Sequence, residues 1–480
     1  MRKALLSICL SVTGPVVLAQ EQLGLALSDH AGTDALPLNP ARLAAQWPWL
    51  DVGIAGLDAF VWNDRVALAG RPRTWLGEAG ALSQGRSEGD LELVDLFGRD
   101  RYKAFSVSRV KGPSFALSAG RTGIGAHLAA RNVTSVTGVD APLADFLLNG
   151  LDHRPRHGER YRNEDLRVLS ASWTEFGISA ARIVHTRGAH LFSVGGTARY
   201  LTGHHGMALV LNTLDYTVID SMQAQVHEAS GHYAFVDPDM TAGSGWGLDL
   251  GMVYEHTLDD AERFVPHRSG GGCEPMDHDL RIGVSLIDLG GLRFDQATAG
   301  SFTGGTAYFP DYDAIDVNGL EGVDSLFRAS VSSFTSESGL RIGLPTALSV
   351  QADKRIANGL YVAGAWVQQL SARSGDRLRR PNTLAVVPRY ERQRFAIAFP
   401  VLLREYDITR PALGVMFRFN SIVVGTDHLL PLVTRRDLYA ADVYVRVKWT
   451  VFRGPYCRGK RNGPRTPGDQ GAFPCADPQG

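Results

Sequence analysis

The chain has 480 residues and a formal net charge of −1, with 49 Lys and Arg against 50 Asp and Glu. That balance excludes the basic excess with which nucleic-acid-binding proteins hold phosphate backbones. Past the N-terminal segment no apolar stretch reaches the roughly 20 residues of a transmembrane helix, so a membrane protein of this sequence must cross with strands.

At the start of the chain, Arg2 and Lys3 precede an apolar run from Ala4 to Leu18, broken by Ser7, Ser11, Thr13, Gly14 and Pro15. This is the layout of a secretory signal peptide, with Val17 and Ala19 at the small-residue positions, and it predicts cleavage after Ala19. Cys9 leaves with the peptide, so Cys273, Cys457 and Cys475 remain in an oxidising compartment. Cys457 and Cys475 share one Pro/Gly-rich tail and form the expected disulfide, which leaves Cys273 as the odd cysteine.

Residues 20–50, with Gly24, Asp29, Gly32, Pro37, Asn39 and Pro40, read as loops and turns ahead of the first strand. From residue 51 to 452 the pattern is one of alternating segments separated by polar, Gly-rich turns, supplied by 53 glycines. Leu248, Leu250, Met252 and Tyr254 oppose Gly247, Asp249, Gly251 and Glu255. Leu280, Ile282, Val284 and Leu286 alternate with Arg281, Gly283 and Ser285, and Asp288, Gly290 and Gly291 then suggest a turn. Further along, Leu413, Val415, Phe417 and Phe419 oppose Gly414, Met416, Arg418 and Asn420. The last segment is the clearest, with Val443, Val445, Val447, Trp449 and Val451 on one side and Tyr444, Arg446, Lys448 and Thr450 on the other.

A soluble sandwich alternates too, but these runs approach or exceed the roughly 9 to 11 residues a tilted strand needs to cross a bilayer. Trp173, Phe176, Tyr200, Trp246, Tyr254, Trp366, Tyr390 and Phe452 sit near run ends, as an interfacial girdle requires. The reading is all-β: a transmembrane antiparallel β-barrel in the outer membrane. Residues around 139–165 and 256–280 are charged and punctuated by Gly or Pro, which suits long external loops, and the tail from Arg453 reads as irregular and periplasmic. Arginine exceeds lysine in every segment, a bias we read as genomic rather than as a lumen lining.

Leu38-Asn39-Pro40-Ala41, just before the first strand, resembles the Asn-Pro-Ala signature near the mature N-terminus of FadL-like outer-membrane proteins. Gly247–Glu255, Leu280–Phe294, Leu344–Asp353, Pro388–Glu391 and Gly414–Asp427 resemble one branch of those barrels, the domain-of-unknown-function family number 5723. The resemblance implies a FadL-like barrel of about 14 strands with an N-terminal hatch or plug. It implies no substrate site at residue level.

Other motifs carry little chemistry. Gly120, Gly123 and Gly125 have the spacing of a phosphate-cradling loop but not its context, because the following residues read as a return strand in a hairpin. His227 and His232 of HEASGH stand one residue too far apart for a zinc helix, and His153 and His157 enclose Pro155. His204 and His205 are adjacent and point to opposite faces of a strand. Asp311, Asp313, Asp316 and Asn318 have the composition of a calcium loop but not its order, so they read as a solvated acidic loop. No catalytic constellation stands at a working spacing, and we expect neither an enzyme nor a cofactor.

The functional expectation is passive uptake of small hydrophobic compounds through a hatch formed by Leu36, Leu38, Asn39, Pro40, Leu43 and Trp47. The alternative is a scaffold or secretion-accessory barrel that binds an envelope protein. Expected partners are outer-membrane lipid and lipopolysaccharide and a hydrophobic small molecule, with no nucleic acid.

Overall fold

The computed structural model describes residues 22–69, 74, 93–96, 98–262, 264–268, 272–304, 307–309, 333–370, 375–435 and 437–457. Fourteen antiparallel strands close into a barrel. In chain order they are β1 (Leu50–Asn63), β2 (Arg101–Ala119), β3 (Thr122–Asp140), β4 (Arg160–Arg187) and β5 (His190–Val218). Next comes β6, in two aligned segments (Ala224–Val236 and Gly243–Thr257), followed by β7 (His278–Thr303). β8 is also split (Ser333–Gly343 and Ala347–Ala357), and β9 (Leu360–Gln369) and β10 (Thr383–Glu391) follow. β11 (Phe395–Ala398 and Val401–Arg404) and β12 (Ala412–Leu413 and Val415–Phe419) break at Pro400 and Gly414, and β13 (Ile422–Thr426) and β14 (Ala440–Val451) complete the wall.

Closure comes from β1 pairing with β14, from Leu50 opposite Val451 to Trp62 opposite Ala440. No edge of the ring is left unpaired at this seam, the condition a strand structure must meet in lipid. Period-two alternation divides the wall into two faces. Trp246, Leu248, Leu250 and Met252 face outward while Asp249 is buried inside, and Val445, Val447 and Trp449 face outward while Tyr444, Arg446 and Lys448 are buried. From Tyr254 to Trp246 the outer face of β6 covers nine residues, within the roughly 9 to 11 with which a tilted strand crosses a bilayer.

Phe176, Tyr200, Trp246, Trp366 and Tyr390 are exposed on that outer surface as the girdle pattern requires. Trp173 is not: it is fully buried in the lumen, under the Arg131 guanidinium at 5.0 Å. Trp173 falls in phase with Ala171, Glu175 and Ser179 on the lumen face of β4, and the extra residue at this level is His204 on β5, where Ser172 pairs with His205 and Trp173 with Gly203. Phe452 also turns inward, its ring 5.5 Å from that of His30.

The two ends of the barrel differ. At the end holding both termini of the wall, the turns are 120–121, 188–189, 358–359, 392–394 and 420–421, with one long exception, 258–277. The other end carries the long connections, including helix α1 (Ala141–Asn149), whose N-terminus is capped by Asp140 accepting from Leu143 N at 2.9 Å. Short turns mark the periplasmic side of such barrels. The 139–165 region therefore lies at the external end, as expected, whereas 258–277 lies at the opposite end and corrects the external assignment made for 256–280.

Two further readings are corrected. Asp288 and Gly290 do not end a strand, because β7 runs on to Thr303 with a bulge in which Asp288 has φ 55° and Gly290 φ 120°. Cys457 is bonded to Cys273 and not to Cys475, with the Cα atoms 5.3 Å apart. The turn after β14 meets the 258–277 loop at the same barrel end, a proximity that sequence distance hides. Cys475, the signal segment and the 311–319 acidic run lie outside the described residues.

Candidate functional site: the lumen and its N-terminal insert

Residues 22–49 occupy the lumen as a chain of helical turns, Leu23–Ala26, Gly32–Ala35 and Pro40–Leu43, before the chain leaves to begin β1. Arg42 staples the first turn to the third, donating to the carbonyls of Ala26, Leu27 and Ser28. The Ala26 and Leu27 carbonyls end a helical turn, so the guanidinium satisfies groups that water would otherwise claim, and at Ser28 it joins a bond from Ala31 N at 3.1 Å.

The wall is shaped to receive this insert. Leu23, Leu25, Leu27 and Leu38 pack on small side chains of β9–β12, among them Ala363, Ala385, Ala396 and Ala412. Leu36, Leu43 and Ala44 pack instead against Ala116, Ala181, Ile183 and Leu191 of β2, β4 and β5. Burying each leucine contributes roughly 2 kcal/mol. Four glycines make the closest approach possible. A Cβ on Gly123 would collide with the Leu43 carbonyl, one on Gly195 would stand 2.8 Å from Ala41 Cα, and Gly251 and Gly283 leave room for the Asn39 amide. The glycine of GRTGIG thus serves as a seat for the insert, and not as a phosphate cradle.

Asn39 fixes the register. Its Nδ2 donates to Met252 O at 3.1 Å and to Gln351 Oε1 at 3.0 Å, and its Oδ1 caps the following turn by accepting from Ala41 N at 3.0 Å. Pro40 at the first position of that turn has a φ suited to helix and lacks the N–H that would otherwise be orphaned. The Asn-Pro-Ala stretch is therefore an anchor to β6, β7 and β8.

Charge pairs hold the rest. Asp29 meets Arg281 at 2.5 Å, Arg281 meets Glu255 at 2.6 Å, and Arg389 grips Asp353 through two bonds of 2.8 and 2.6 Å. Asp34 meets Lys111 at 2.8 Å and Arg446 at 3.3 Å, while Lys448 donates to the carbonyls of His30 and Ala31 at 2.6 and 2.8 Å. Burial pushes the Asp34 carboxyl upward, but Lys111, Arg446 and Lys448 outweigh it and hold the group well below the usual carboxylate range. Asp29 behaves alike, burial being outweighed by Arg281, His278 and Arg389. Asp29, His278 and Asp353 bring donor atoms within 4.8 Å of one another, yet Arg281 and Arg389 fill the same space with positive charge, so this donor set suits guanidinium and not a metal ion.

Beyond the insert a third cluster spans the lumen. Asp288 receives Arg131 at 2.9 and 3.1 Å, Arg199 at 2.8 Å, and Arg380, which descends from the connection between β9 and β10. Arg199 also meets Asp249 at 2.6 Å, and Trp173 donates from Nε1 to Glu175 at 3.2 Å. The bulge in β7 is what turns Asp288 inward to this position. Sequence reading missed it, though the run Asp288-Leu289-Gly290-Gly291 inside an otherwise strand-like segment carries the bulge signal.

Between this cluster and the insert lies a cavity of about 40 Å³, walled by Leu36, Pro37, Leu38, Val107 and Val133 on an apolar side and by Arg109, Arg131, Arg199 and Asp288 on a charged side. A neighbouring cavity of about 30 Å³ shares Leu36, Pro37, Lys111 and His127 with it and reaches the barrel wall at Gly112, Ser114 and Leu128. There the register of β2 on β3 shifts between Lys111 and Ser114, next to Pro113. Such volumes hold a few waters and no larger ligand, and both cavities carry charged groups beside their apolar ones. Of the expected hatch residues, Leu36 and Leu38 line the larger cavity. Asn39 and Pro40 anchor the insert, and Leu43 packs near the periplasmic end. Trp47 lines a separate small cavity and meets His30 edge-on at 5.3 Å.

The remaining histidine motifs have local roles. His227 and His232 lie on β6, where His227 meets Thr217 Oγ1 at 2.9 Å and His232 meets Asp376 at 2.8 Å. His204 and His205 bond to the carbonyls of Met240 and Val236.

The model of a family of unknown function, DUF5723, matches residues 100–427. No curated protein matches the chain. Among solved structures, the toluene transporter TbuX of Ralstonia pickettii is similar at 11% identity and a TM-score of 0.37, over 88% of this chain and 94% of that one. The toluene transporter TodX of Pseudomonas putida is similar at 10% identity and 0.38, over 87% and 93%. A FadL homologue of Pseudomonas aeruginosa is similar at 9% identity and 0.24, over 91% and 98%.

Proposed function

The chain belongs to DUF5723, a family of unknown function, and from that premise we propose that this outer-membrane barrel admits small hydrophobic compounds by diffusion, with residues 20–50 as the hatch. The observation that carries the proposal is the pair of cavities joining the apolar floor of the insert, Leu36 to Leu38, to the weakened β2–β3 seam at Gly112. A compound entering there meets Leu128, then the cavity edged by Arg109, Lys111 and His127, and beyond it Val107, Val133 and the insert. The cavities as they stand are too small for cargo, so passage requires the insert to shift, which the ion pairs of Asp29 and Asp34 resist. Export through the N-terminal signal segment and removal of residues 1–19 belong to the same proposal.

The test is uptake of radiolabelled alkane, monoaromatic and long-chain alcohol probes by cells that carry or lack the protein. Uptake that depends on the protein and is abolished in Leu36→Asp and Val133→Asp variants, with the barrel still folded, supports the reading. Equal uptake by all strains defeats it.

A second reading, a scaffold for an envelope protein, is favoured by the height of β4, β5 and β7. They have 28, 29 and 26 residues, where crossing needs roughly 9 to 11. Their outer halves stand beyond the bilayer as an external surface. Shortening the β4–β5 pair at its external end should then remove a stoichiometric partner and leave uptake intact.

A further inference from the structure

The loop 258–277 is the long exception among the turns at the periplasmic end, and its contacts follow a path across the barrel mouth. Leaving β6, it bonds to the β4–β5 turn through Ala261 N and Gly188 O at 2.7 Å, then to the β2–β3 turn through Arg121 and the Glu262 carbonyl at 3.0 Å. Ala261 and Phe264 pack directly beneath Leu36, Leu43 and Ala44 of the insert. His267 lies against the backbone of Gln46 and Pro48, where the insert leaves the lumen. Cys273 is bonded to Cys457 in the turn that follows β14, and the chain then returns to β7.

In a ring of fourteen strands, β6 and β7 stand opposite β14. A loop rooted at β6 and β7 and bonded beyond β14 therefore bars the mouth. The insert's exit is enclosed by it. Gly454, three residues before Cys457, sits so close to this exit that a Cβ would stand 2.9 Å from Trp49 Cδ1 and 3.2 Å from His267 Cβ.

We propose that the Cys273–Cys457 bond is a redox latch: while oxidised it holds loop 258–277 as a strap beneath the insert, and its reduction by a dithiol frees the strap and unblocks the periplasmic mouth. Cys273 is half-buried and Cys457 buried, so the attack falls on Cys273. A thiolate of the dithiol bonds to the Cys273 Sγ and the Cys457 Sγ departs as a thiolate. The second thiol of the reagent then displaces Cys273 Sγ, leaving the reagent as a cyclic disulfide and both cysteines as thiols. Two electrons pass from reagent to protein.

Without the bond the strap is held by the apolar contact of Ala261 and Phe264, by backbone and side-chain hydrogen bonds at Ala261, Glu262 and His267, by Asp277 at its root on the wall, and by the exposed pair Arg453–Glu274. In the folded barrel the wall already holds the residues between the two cysteines, so the bond there ties only the strap to the turn after β14, and its loss frees the strap locally. The wall itself has no disulfide among the described residues and keeps its ladder hydrogen bonds. Reduction therefore acts on the mouth and not on the barrel.

The experiment uses full-length C475S protein, which retains only the latch pair in the mature chain, in planar bilayers and in detergent, with dithiothreitol as reductant. Ion conductance and protease cleavage within residues 22–49 should both rise several-fold on reduction and fall on reoxidation. C273S/C475S protein should show the raised values without reductant and no response to it. Heat-shifted gel mobility reports the folded barrel in every arm. If the double variant fails to fold, the reductant arm on C475S decides alone. Free thiols at both positions with unchanged conductance and cleavage overturn the proposal, as does a bond that stays closed to dithiothreitol in the folded protein. Conductance reads the mouth and not the cargo, so a failure of uptake in the earlier test leaves this result standing.

Discussion

Asn39 lies so close to Gly283 that a methyl group on the glycine would stand 2.8 Å from the Asn39 Nδ2. The same Nδ2 bonds to Met252 and Gln351 on the flanking strands, so one side chain reads the absence of another. Gly283→Val should push the insert off its seat. Overpacking of this kind costs about 1–3 kcal/mol, and it should appear as faster proteolysis of residues 22–49 with the heat-modifiable barrel intact. An unchanged cleavage pattern would show that the seat does not hold the insert.

Asn39→Ala removes the same anchor from the other side. It loses the cap on Pro40–Leu43 and leaves the Met252 carbonyl and Gln351 amide without their partner, at about 1–2 kcal/mol. Hydrogen exchange should quicken in the insert and not in β6 or β7. Protection lost equally from those strands would refute a local role.

Asp288 gathers three guanidiniums, from Arg131, Arg199 and Arg380. Asp288→Asn leaves buried positive charge uncompensated and should lower barrel stability by about 3 kcal/mol or more, read as a lower temperature of the gel-mobility shift. A triple change of Asp288, Arg131 and Arg199 to apolar residues of similar size should recover much of the loss. Failure of that recovery would mean the cluster holds the fold by packing rather than by charge balance.

The insert should loosen in acid. Asp34 and Asp29 have carboxyls held below the usual range in the folded protein. Their ion pairs therefore contribute stability that is present above the ordinary carboxylate value of about 4 and is lost as pH falls below it. Protease cleavage in residues 22–49 should begin to rise as pH falls through about 4 and should go on rising in stronger acid, because the loss continues until the depressed folded-state values are passed. In Asp34→Asn protein it should already be raised at pH 5, with a smaller further change. A flat profile in the unmutated protein would rule out a charge-held insert.

Period-two alternation made the wall legible wherever a strand has lipid on one side and lumen on the other. Trp449, Val447 and Val445 against Lys448, Arg446 and Tyr444 is such a case, and Phe417 and Phe419 against Arg418 is another. Asn39-Pro40-Ala41 was legible as a motif, and its surroundings give the reason, a capped turn wedged among glycines. A bulge broke the pattern at Asp288, because one extra residue reverses which face a side chain takes. Hence the hub of the lumen looked like a turn. Trp173, by contrast, keeps the alternation of β4 and was misplaced only because an aromatic near a run end suits either face. The bias toward arginine, read as genomic, includes the buried lumen groups Arg131, Arg199, Arg281, Arg389 and Arg446. Chain distance misled the cysteine pairing, since Cys273 and Cys457 become neighbours only when the barrel end brings their loops together.

The insert touches the last strand as well as the middle ones: Tyr444 belongs to its apolar cluster, and Arg446 and Lys448 bond to Asp34, His30 and Ala31. Those partners arrive only when β14 meets β1. One strand therefore serves two purposes, sealing the ring on its backbone edge and gripping the N-terminal segment with its side chains, so a change that loosens β14 reaches the insert as well as the seam.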